Sequence, residues 1–304
     1  MEQEITIVTA FFNVDREHWK GFERSQEKYF SYFSYWARLR NRLVVFVENE
    51  ENAAKVRAIR ASFGLEDRTE VVVTGNCEQI VPDLFESLRK VSLNSRQKYL
   101  HLYPGNPEAW NFMYNYVILL KTYCVYQAIV RQLADGMCAW MDFGFGHGEQ
   151  TYKDAGDFDF LWKYDFSDKI TFFTVKDLDR TPLILTILSM DTYITGAVQV
   201  GPAEAWLPYW QEMKKSMMEL NDIGLMDDDQ TIMQICYNKA PEKYTVLPSG
   251  GGFFTPLQLY GGSHLRLQEG NYGLVRKAAH RTKQTMINRR YAEHIFTSLQ
   301  DLNL

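Results

Sequence analysis

A single carboxylate at the end of an apolar run is the first candidate for chemistry in this chain. The segment AWMDFGFGHG, residues 139–148, places Asp142 directly before glycines, aromatic residues and His147. Carboxylate oxygens are the ligands with which proteins hold Mg²⁺ or Mn²⁺ against a diphosphate. The same pattern is typical of an aspartate that ends a strand and hydrogen-bonds the following loop. The residues alone leave both interpretations of Asp142 open.

Three consecutive aspartates form a second candidate site, in the segment LMDDDQTIMQ, residues 225–234. Clustered carboxylates raise the pKa of at least one member, which suits a general base. We therefore predict that Asp228 or Asp229 deprotonates an acceptor hydroxyl. The alternative is that the cluster only caps the start of the predicted helix 227–239.

Two histidines in glycine-rich segments are candidate metal ligands. His147 lies in FGFGHGE and His264 in YGGSHLR. Imidazole accepts Mn²⁺ as well as softer ions, so either histidine would complete a metal shell that Asp142 begins. The alternative is that both are exposed loop residues.

These candidates depend on the elements that position them, and the pattern predicts strands that alternate with helices. The predicted strands are 5–12, 42–49, 69–75, 137–143, 169–175 and 193–200, and residues 244–254 are predicted to be a strand that runs into a loop. The predicted helices are 15–39, 50–63, 83–91, 108–134, 202–220 and 227–239. Such alternation indicates an α/β fold, with a mixed, mainly parallel sheet flanked by helices. Ligands of these sheets bind beyond the carboxyl ends of the strands, where Thr9, Ala10, Asp142 and Gly144 are expected.

Composition limits the class of protein. The chain has 304 residues, of which 46% are hydrophobic, and a net charge of −5. An acidic chain of this size can bury a large core and lacks the basic footprint of a nucleic-acid-binding protein. We therefore predict that the chain binds no nucleic acid.

The cysteines and the apolar runs indicate a cytoplasmic location. The four cysteines are spaced unlike any zinc site, so we expect them to be buried and reduced. The N-terminus has no basic start of a signal peptide. The most apolar run, 114–130, is interrupted by Lys121 and is shorter than a membrane span.

A basic segment near the C-terminus is the one local departure from the acidic composition. Residues 275–290 contain six arginines and lysines and no acidic residue. A basic helix of this kind is attracted to an anionic membrane face or to a phosphorylated acceptor, which predicts peripheral contact with the inner membrane or with such an acceptor. The alternative is a solvated helix face.

Three segments carry a resemblance to a known family: ITIVTAFFNVDREHW (5–19), AWMDFGFGHG (139–148) and DDDQTIM (227–233). They resemble the HtrL/YibB family of bacterial proteins over nearly the whole chain. That family is similar to a divergent branch of the GT-A glycosyltransferases, which transfer sugars from nucleotide-sugars.

The resemblance implies a domain organisation. Residues 1–270 would form a single GT-A-like catalytic domain. Its nucleotide-binding half would span about 1–148 and its acceptor half about 149–270. Residues 271–304 would form a basic helical tail.

The resemblance also implies roles for particular residues. The nucleotide-sugar would contact Thr9, Ala10, Phe11, Arg16, Asn115, Lys121, Asp142 and Gly144. Asp142 would bind Mn²⁺ or Mg²⁺ as cofactor, with His264 completing the metal shell. Gly144 stands at the position of a second aspartate in the Asp-x-Asp device of GT-A enzymes. Asp228 and Asp229 match the place of the catalytic carboxylate.

The expected function is therefore transfer of a sugar from a nucleotide-sugar to a cell-surface glycan or glycolipid, of the lipopolysaccharide-core, O-antigen or capsule type. An inverting enzyme would use the aspartate cluster as general base, and a retaining enzyme would use it to stabilise positive charge on the sugar. The missing second aspartate favours an alternative, a non-catalytic protein that binds nucleotide-sugars or glycans. A nucleotidyltransferase would need a glycine-rich loop after the first strand, and FFNVDREHW contains no glycine.

Overall fold

One central sheet organises the computed structural model, which describes residues 3–179 and 181–268. The strands of the described residues are β1 (Gln3–Phe11), β2 (Leu43–Val47), β3 (Thr69–Val73), β4 (Met137–Met141), β5 (Lys163–Tyr164), β6 (Ile170–Thr174), β7 (Val198–Pro202) and β8 (Tyr244–Pro248). Their order is β3-β2-β1-β4-β7-β6-β8, and β5 pairs with β1. The pairings β1–β2, β2–β3, β1–β4 and β6–β8 are parallel, whereas β7 runs antiparallel to both of its neighbours. The predicted mixed, mainly parallel sheet is confirmed.

Helices cover both faces of this sheet. They are α1 (Gln26–Trp36), α2 (Glu50–Ala61), α3 (Pro82–Leu93), α4 (Pro107–Trp110), α5 (Phe112–Val130), α6 (Leu183–Ser189), α7 (Ala203–Asp222), α8 (Asp229–Lys239) and α9 (Pro256–Leu259). Helices α3, α5, α7 and α8 pack on one face, and α1, α2 and α9 contribute to the core on the other.

Consecutive residues of a strand pack into two different hydrophobic cores, one on each face of the sheet. Val8 belongs to the α5 side and Ile7 to the α1 side, and Val44 and Val45 divide in the same way. Because both faces of the sheet are buried, the strands read as continuous apolar runs and not as alternating patterns.

Three predicted elements differ from the structure. Helix 15–39 begins only at Gln26, where Ser25 caps it, because the preceding residues form a single 3-10 turn and a bend with Gly21 at a φ of 84°. Helix 108–134 is divided at Asn111, whose side chain caps α5. Strand 193–200 was predicted too long: the regular strand β7 begins at Val198, and residues before it are joined to the end of β6 by an isolated bridge between Ile194 and Thr174.

Other expectations concern the cysteines and the membrane. All four cysteines are free and buried, as predicted. Within the described ranges, no helix is both long and apolar enough to cross a membrane. The basic segment 275–290, and the whole predicted tail 271–304, lie outside the described residues.

Candidate functional site

A cavity of about 320 Å³ opens at the carboxyl ends of β1 and β4. Ala10 and Phe11 line it from the end of β1, and Asp142 follows β4. Lys121 enters from α5 and Asp229 from the first turn of α8. We call this space the first cavity. It lies where the strand pattern predicts a ligand.

Lys121 links the two acidic residues of the first cavity. Its ammonium nitrogen lies 2.9 Å from Asp142 Oδ1 and 3.0 Å from Asp229 Oδ2. It also donates a hydrogen bond to the Gly196 carbonyl at 3.2 Å. Burial alone would lower the pKa of Lys121, but the two carboxylates outweigh burial and raise it. The lysine is therefore a fixed positive charge in the floor of the cavity.

Asp142 is engaged by a second donor on the same oxygen. The Trp140 indole Nε1 donates to Asp142 Oδ1 at 2.8 Å. The two residues are two apart around the end of a strand, which places their side chains on the same side. The backbone N–H of Asp142 donates to the Ala197 carbonyl at 2.9 Å. Asp142 thus directly follows β4 and faces the cavity, with its side chain engaged by Trp140 and Lys121 and its backbone carbonyl accepting from the Phe145 N–H of the following loop.

The side chains around Asp142 do not form the predicted metal shell. His264 does not line the first cavity, because its Nε2 lies 3.0 Å from the Asp157 carbonyl and its ring packs on Phe160. A Cβ at Gly144 would lie 3.4 Å from the Tyr29 ring. No group of three His, Cys, Asp or Glu side chains that could hold a metal ion occurs in residues 3–179 and 181–268. The pairing of Asp142 with His264 as metal ligands is therefore not supported.

Two arginines bring positive charge to the wall of the first cavity. Arg16 donates to the Tyr29 hydroxyl and the Phe22 carbonyl, each at 3.1 Å. Its guanidinium also lies over the Trp19 ring, 5.6 Å from the ring centre. Arg24 lies 5.2 Å from the centre of the Tyr29 ring. Aromatic rings, the Tyr29 hydroxyl and the Phe22 carbonyl position these two guanidiniums. None of these groups carries a negative charge, so the guanidiniums keep their positive charge for a ligand.

His147 lines the same cavity and is held between rings. It packs against Tyr32 and Phe254, with ring centres 5.2 and 4.9 Å away. Burial, followed by the charge of Arg24, lowers the pKa of His147 to about 4. Its backbone has a φ of 51°, a left-handed conformation that costs a non-glycine residue energy and is often found at functional sites. At neutral pH His147 is an uncharged hydrogen-bonding group.

A second cavity of about 210 Å³ adjoins the first, and Gln230 and Phe253 line both. Its walls include the acidic side chains Glu108, Asp191, Asp227 and Asp228. The two cavities therefore share a wall at the start of α8 and differ in charge.

The aspartate cluster divides between the two cavities. Asp228 caps α8 by accepting a hydrogen bond from the Gln230 backbone N–H at 3.0 Å, and Asp227 accepts from the Asp228 N–H at 2.9 Å. Burial raises the pKa of Asp227 to about 7. Burial, together with the charges of Asp227 and Asp229, raises the pKa of Asp228 well above its ordinary range. The capping interpretation of this cluster is therefore confirmed for Asp228, and the acid–base interpretation stays a prediction.

Asp229 has a different environment from its two neighbours. It faces the first cavity, and its side chain is 2% exposed. Burial raises the pKa of Asp229, and the ammonium of Lys121 acts in the opposite direction, favouring the carboxylate. Asp229 is thus the anionic partner of a buried lysine.

Two predicted contact residues lie away from both cavities. Thr9 is fully buried within β1, opposite Val45 of β2. Asn115 is also fully buried and donates to the Glu108 carbonyl at 2.8 Å, which fixes the chain entering α5. Neither side chain lines the first or the second cavity. Both predictions of ligand contact are therefore corrected to structural roles.

The sequence interpretation missed three residues of the site: Arg24, Glu108 and Trp140. Arg24 was hidden in a segment predicted to be helical. Glu108 gives no motif, because the turn at Asn111 alone brings it to the second cavity. Trp140 had a usable signal, since its spacing from Asp142 places both side chains on one side of the strand.

Comparison with known proteins identifies relatives of the chain. The family described as "Bacterial protein of unknown function (HtrL_YibB)" matches residues 3–261. Protein HtrL of Escherichia coli (strain K12) is 29% identical over 266 residues, which cover 83% of this chain and 90% of that protein.

Two solved structures are also similar in the course of the chain. One is a glycosyltransferase involved in the glycosylation of the major capsid of PBCV-1, with a TM-score of 0.37, 11% identity and coverage of 81% of this chain and 82% of that chain. The other is the PaToxG glycosyltransferase, with a TM-score of 0.35, 10% identity and coverage of 79% and 71%.

Proposed function

The chain belongs to the HtrL_YibB family, and we propose that it is a glycosyltransferase that moves a sugar from a nucleotide-sugar to a glycan hydroxyl. The observation that carries this proposal is the meeting of two cavities at the start of α8, one lined by two guanidiniums and the other by four acidic side chains. The first presents guanidinium and ammonium groups, which suit a diphosphate. The second presents carboxyl groups, which suit an acceptor hydroxyl.

The donor belongs in the first cavity. Arginine is the side chain best suited to phosphate oxygens, because its planar fork donates two parallel hydrogen bonds. Arg16 and Arg24 lie beside Phe11 and Tyr114, whose rings also line the cavity and offer apolar surface to a base or sugar. The shared wall at Gln230 then marks where the sugar would meet the acceptor.

The transfer itself would use the second cavity as the source of a general base. A carboxylate of the Asp227–Asp228 pair takes the proton from the acceptor hydroxyl, and the hydroxyl oxygen bonds to the anomeric carbon. The bond from that carbon to the diphosphate oxygen breaks, and its electron pair leaves on the nucleoside diphosphate. Arg16, Arg24 and Lys121 stabilise that developing negative charge. In a retaining reaction the same acids would instead stabilise positive charge on the sugar.

The acceptor and the cellular place follow from the family resemblance and are proposals of the same kind. We take the acceptor to be a cell-surface glycan or glycolipid, and the enzyme to act in the cytoplasm. The basic segment 275–290 would then bring it to the anionic inner face of the membrane.

A direct test is isothermal titration of the protein with UDP- and GDP-sugars, followed by measurement of donor hydrolysis without acceptor. We expect one nucleotide class to bind and its sugar to be released slowly. If no nucleotide-sugar binds, the proposal is wrong. Binding without hydrolysis or transfer would support the alternative, a non-catalytic binding protein, which Gly144 in place of a second aspartate favours.

A further inference from the structure

We propose that Lys121 takes the place of a divalent cation in this site, and that Arg16 and Arg24 hold the donor diphosphate directly. The inference rests on the proposed function, because it assumes that a nucleotide-sugar occupies the first cavity. It names how that cavity recognises the diphosphate and predicts that donor binding does not require a metal.

The position that a metal would take is filled by the lysine. The ammonium of Lys121 lies within 3.0 Å of one oxygen of Asp142 and one of Asp229. A divalent ion bound to both carboxylates would be a close neighbour of this ammonium and would be repelled by it. The lysine side chain is 11% exposed, so it cannot turn away to solvent without opening the cavity floor.

The remaining ligands that a metal would need are not at hand. Asp142 Oδ1 already accepts from both Lys121 and Trp140. Position 144 supplies no carboxylate, and His264 is bonded to Asp157 outside the first cavity. Mg²⁺ usually keeps one or two carboxylate ligands that face its water shell and the phosphates, and here both candidates already share the ammonium of Lys121.

The positive charge that a diphosphate needs is supplied by Arg16 and Arg24, which line the same cavity. Arg16 and Arg24 are supported from behind by aromatic rings, including the shared Tyr29. Arg16 uses Nε for the Phe22 carbonyl and one Nη1 hydrogen for the Tyr29 hydroxyl, so its remaining Nη hydrogens and the donors of Arg24 are left for phosphate oxygens. The cavity therefore contains three fixed cations, two of which are not bound to a carboxylate among the described residues.

The first experiment titrates UDP and GDP into the protein by calorimetry, in excess EDTA and in excess MnCl₂. We expect one nucleotide to bind in EDTA, with a Kd that Mn²⁺ changes by less than about threefold. Arg16→Ala and Arg24→Ala should each weaken binding by about tenfold or more, since each removes charge-assisted hydrogen bonds. Arg57→Ala, an exposed arginine of α2, is the matched control and should bind as the wild type does.

The second experiment removes the ammonium group that pairs with the carboxylates of Asp142 and Asp229. In Lys121→Met, both Asp142 and Asp229 lose their cation, so nucleotide affinity should fall in EDTA and be partly restored by Mn²⁺. In the double variant Lys121→Met/Asp229→Asn only one carboxylate remains, and Mn²⁺ should give no restoration. The double variant also removes the unpaired buried charge, so it stays informative if the single variant fails to fold.

The outcomes separate the two proposals. If wild-type protein binds nucleotide only with Mn²⁺, or if Lys121→Met binds in EDTA as tightly as wild type, Lys121 is not the substitute cation and the glycosyltransferase proposal stands. If neither UDP nor GDP binds in either buffer, the proposed function fails as well.

Discussion

Asp228 and Asp229 are adjacent in the sequence, but they face different cavities and have different partners. Asp229 faces the first cavity and is paired with Lys121, whereas Asp228 faces the second cavity and caps α8. A paired carboxylate is a poor proton acceptor, because its negative charge is already stabilised by the ammonium. An unpaired carboxyl with a raised pKa is better matched to general-base work.

This difference predicts the effect of Asp228→Asn. Transfer to the acceptor should fall by about 10²–10⁴-fold in kcat, the usual contribution of a general base, while the Kd for UDP or GDP stays within a few-fold. Asparagine also caps helices well, so the thermal unfolding midpoint should change little. The measurements are acceptor-dependent turnover and calorimetric binding on the same preparation.

The exposed Asp222→Asn, at the end of α7, is the control and should match wild type in both measurements. Equal losses of turnover and nucleotide affinity in Asp228→Asn would contradict the division of labour between the two aspartates.

At the residue scale, the sequence predicted correctly which acidic residues lie at the two cavities. It predicted their neighbours less well. Asp142, Lys121 and Asp229 do lie together, and Asp228 lies across a shared wall. The prediction that Asp142 and His264 share a metal was wrong in its geometry, because the direction of a loop histidine depends on contacts far away in the sequence.

At the scale of elements, α5 shows how both ends of one helix shape the site. Its start at Asn111 separates it from α4 and turns the chain so that Glu108 reaches the second cavity. Its body carries Lys121 to the first cavity. Its end is followed by Gln132, a non-glycine residue with a φ of 61°.

That last feature predicts that Gln132→Gly stabilises the protein. Glutamine in the left-handed conformation costs about 1 kcal/mol, and glycine is the usual residue at this position after a helix. The side chain is exposed, so little packing is lost. We expect the thermal unfolding midpoint to rise by about 2–4 °C, as measured by circular dichroism. A fall would show that the side chain makes a contact worth more than the backbone strain.

Buried Arg60 of α2 links this helix to the segment between α1 and β2 by hydrogen bonds to backbone carbonyls. We therefore expect its replacement to lower the stability of the protein. Arg60 is 1% exposed and donates to the carbonyls of Ala37, Leu39 and Asn41 at 2.6–2.9 Å. Lysine cannot reproduce this planar fork, so Arg60→Lys should leave buried acceptors unpaired and cost about 3 kcal/mol in urea unfolding. Arg57→Lys, on the exposed face of the same helix, should cost less than about 0.5 kcal/mol. Equal costs would contradict this role.

Element boundaries were harder to predict than element types. Aromatic residues at helical spacing suggested one helix over 15–39, but residues 16–25 form a 3-10 turn and loop that place Arg16 and Arg24 at the cavity. Hydrophobic spacing reports burial, and a buried aromatic loop gives the same spacing signal as a helix.

At the scale of the whole molecule, the buried acids couple stability to pH. Burial raises the pKa of Asp227 from its ordinary 3.8 to about 7, and it also raises the pKa of Asp228 and Glu108. The folded state therefore holds more protons than the unfolded state between these values. The stabilising contribution of the neutral acids is present below about pH 4 and is lost as pH rises through 7.

We expect the free energy of unfolding to fall between pH 5 and pH 8 more steeply in wild type than in Asp227→Asn. The difference in slope should reach up to about 1.4 kcal/mol per pH unit for each proton released. Urea unfolding at several pH values measures it, with Asp222→Asn as control. Parallel slopes in all three proteins would show that the cluster is not protonated in the folded state.

The overall architecture followed from the sequence because strand and helix patterns are set locally, and the edge that binds ligands follows from parallel strands. The path of residues 193–197 and the shared wall at Gln230 depend on contacts between distant segments, which the pattern does not contain. The division into a nucleotide-binding half and an acceptor half stays a prediction, although residues from both sides of position 148 line the first cavity.

The bonds of Lys121 reach the exit of β4, the loop that contains Gly196 and the start of α8, and the last of these lies 108 positions beyond Lys121 in the chain. Neither half of the chain therefore contains the complete first cavity. If the gene were split after β4 and the two pieces produced together, nucleotide affinity would report their reassembly. Lys121 would help to hold the two fragments together, because its partners Asp142, Gly196 and Asp229 all lie in the second fragment.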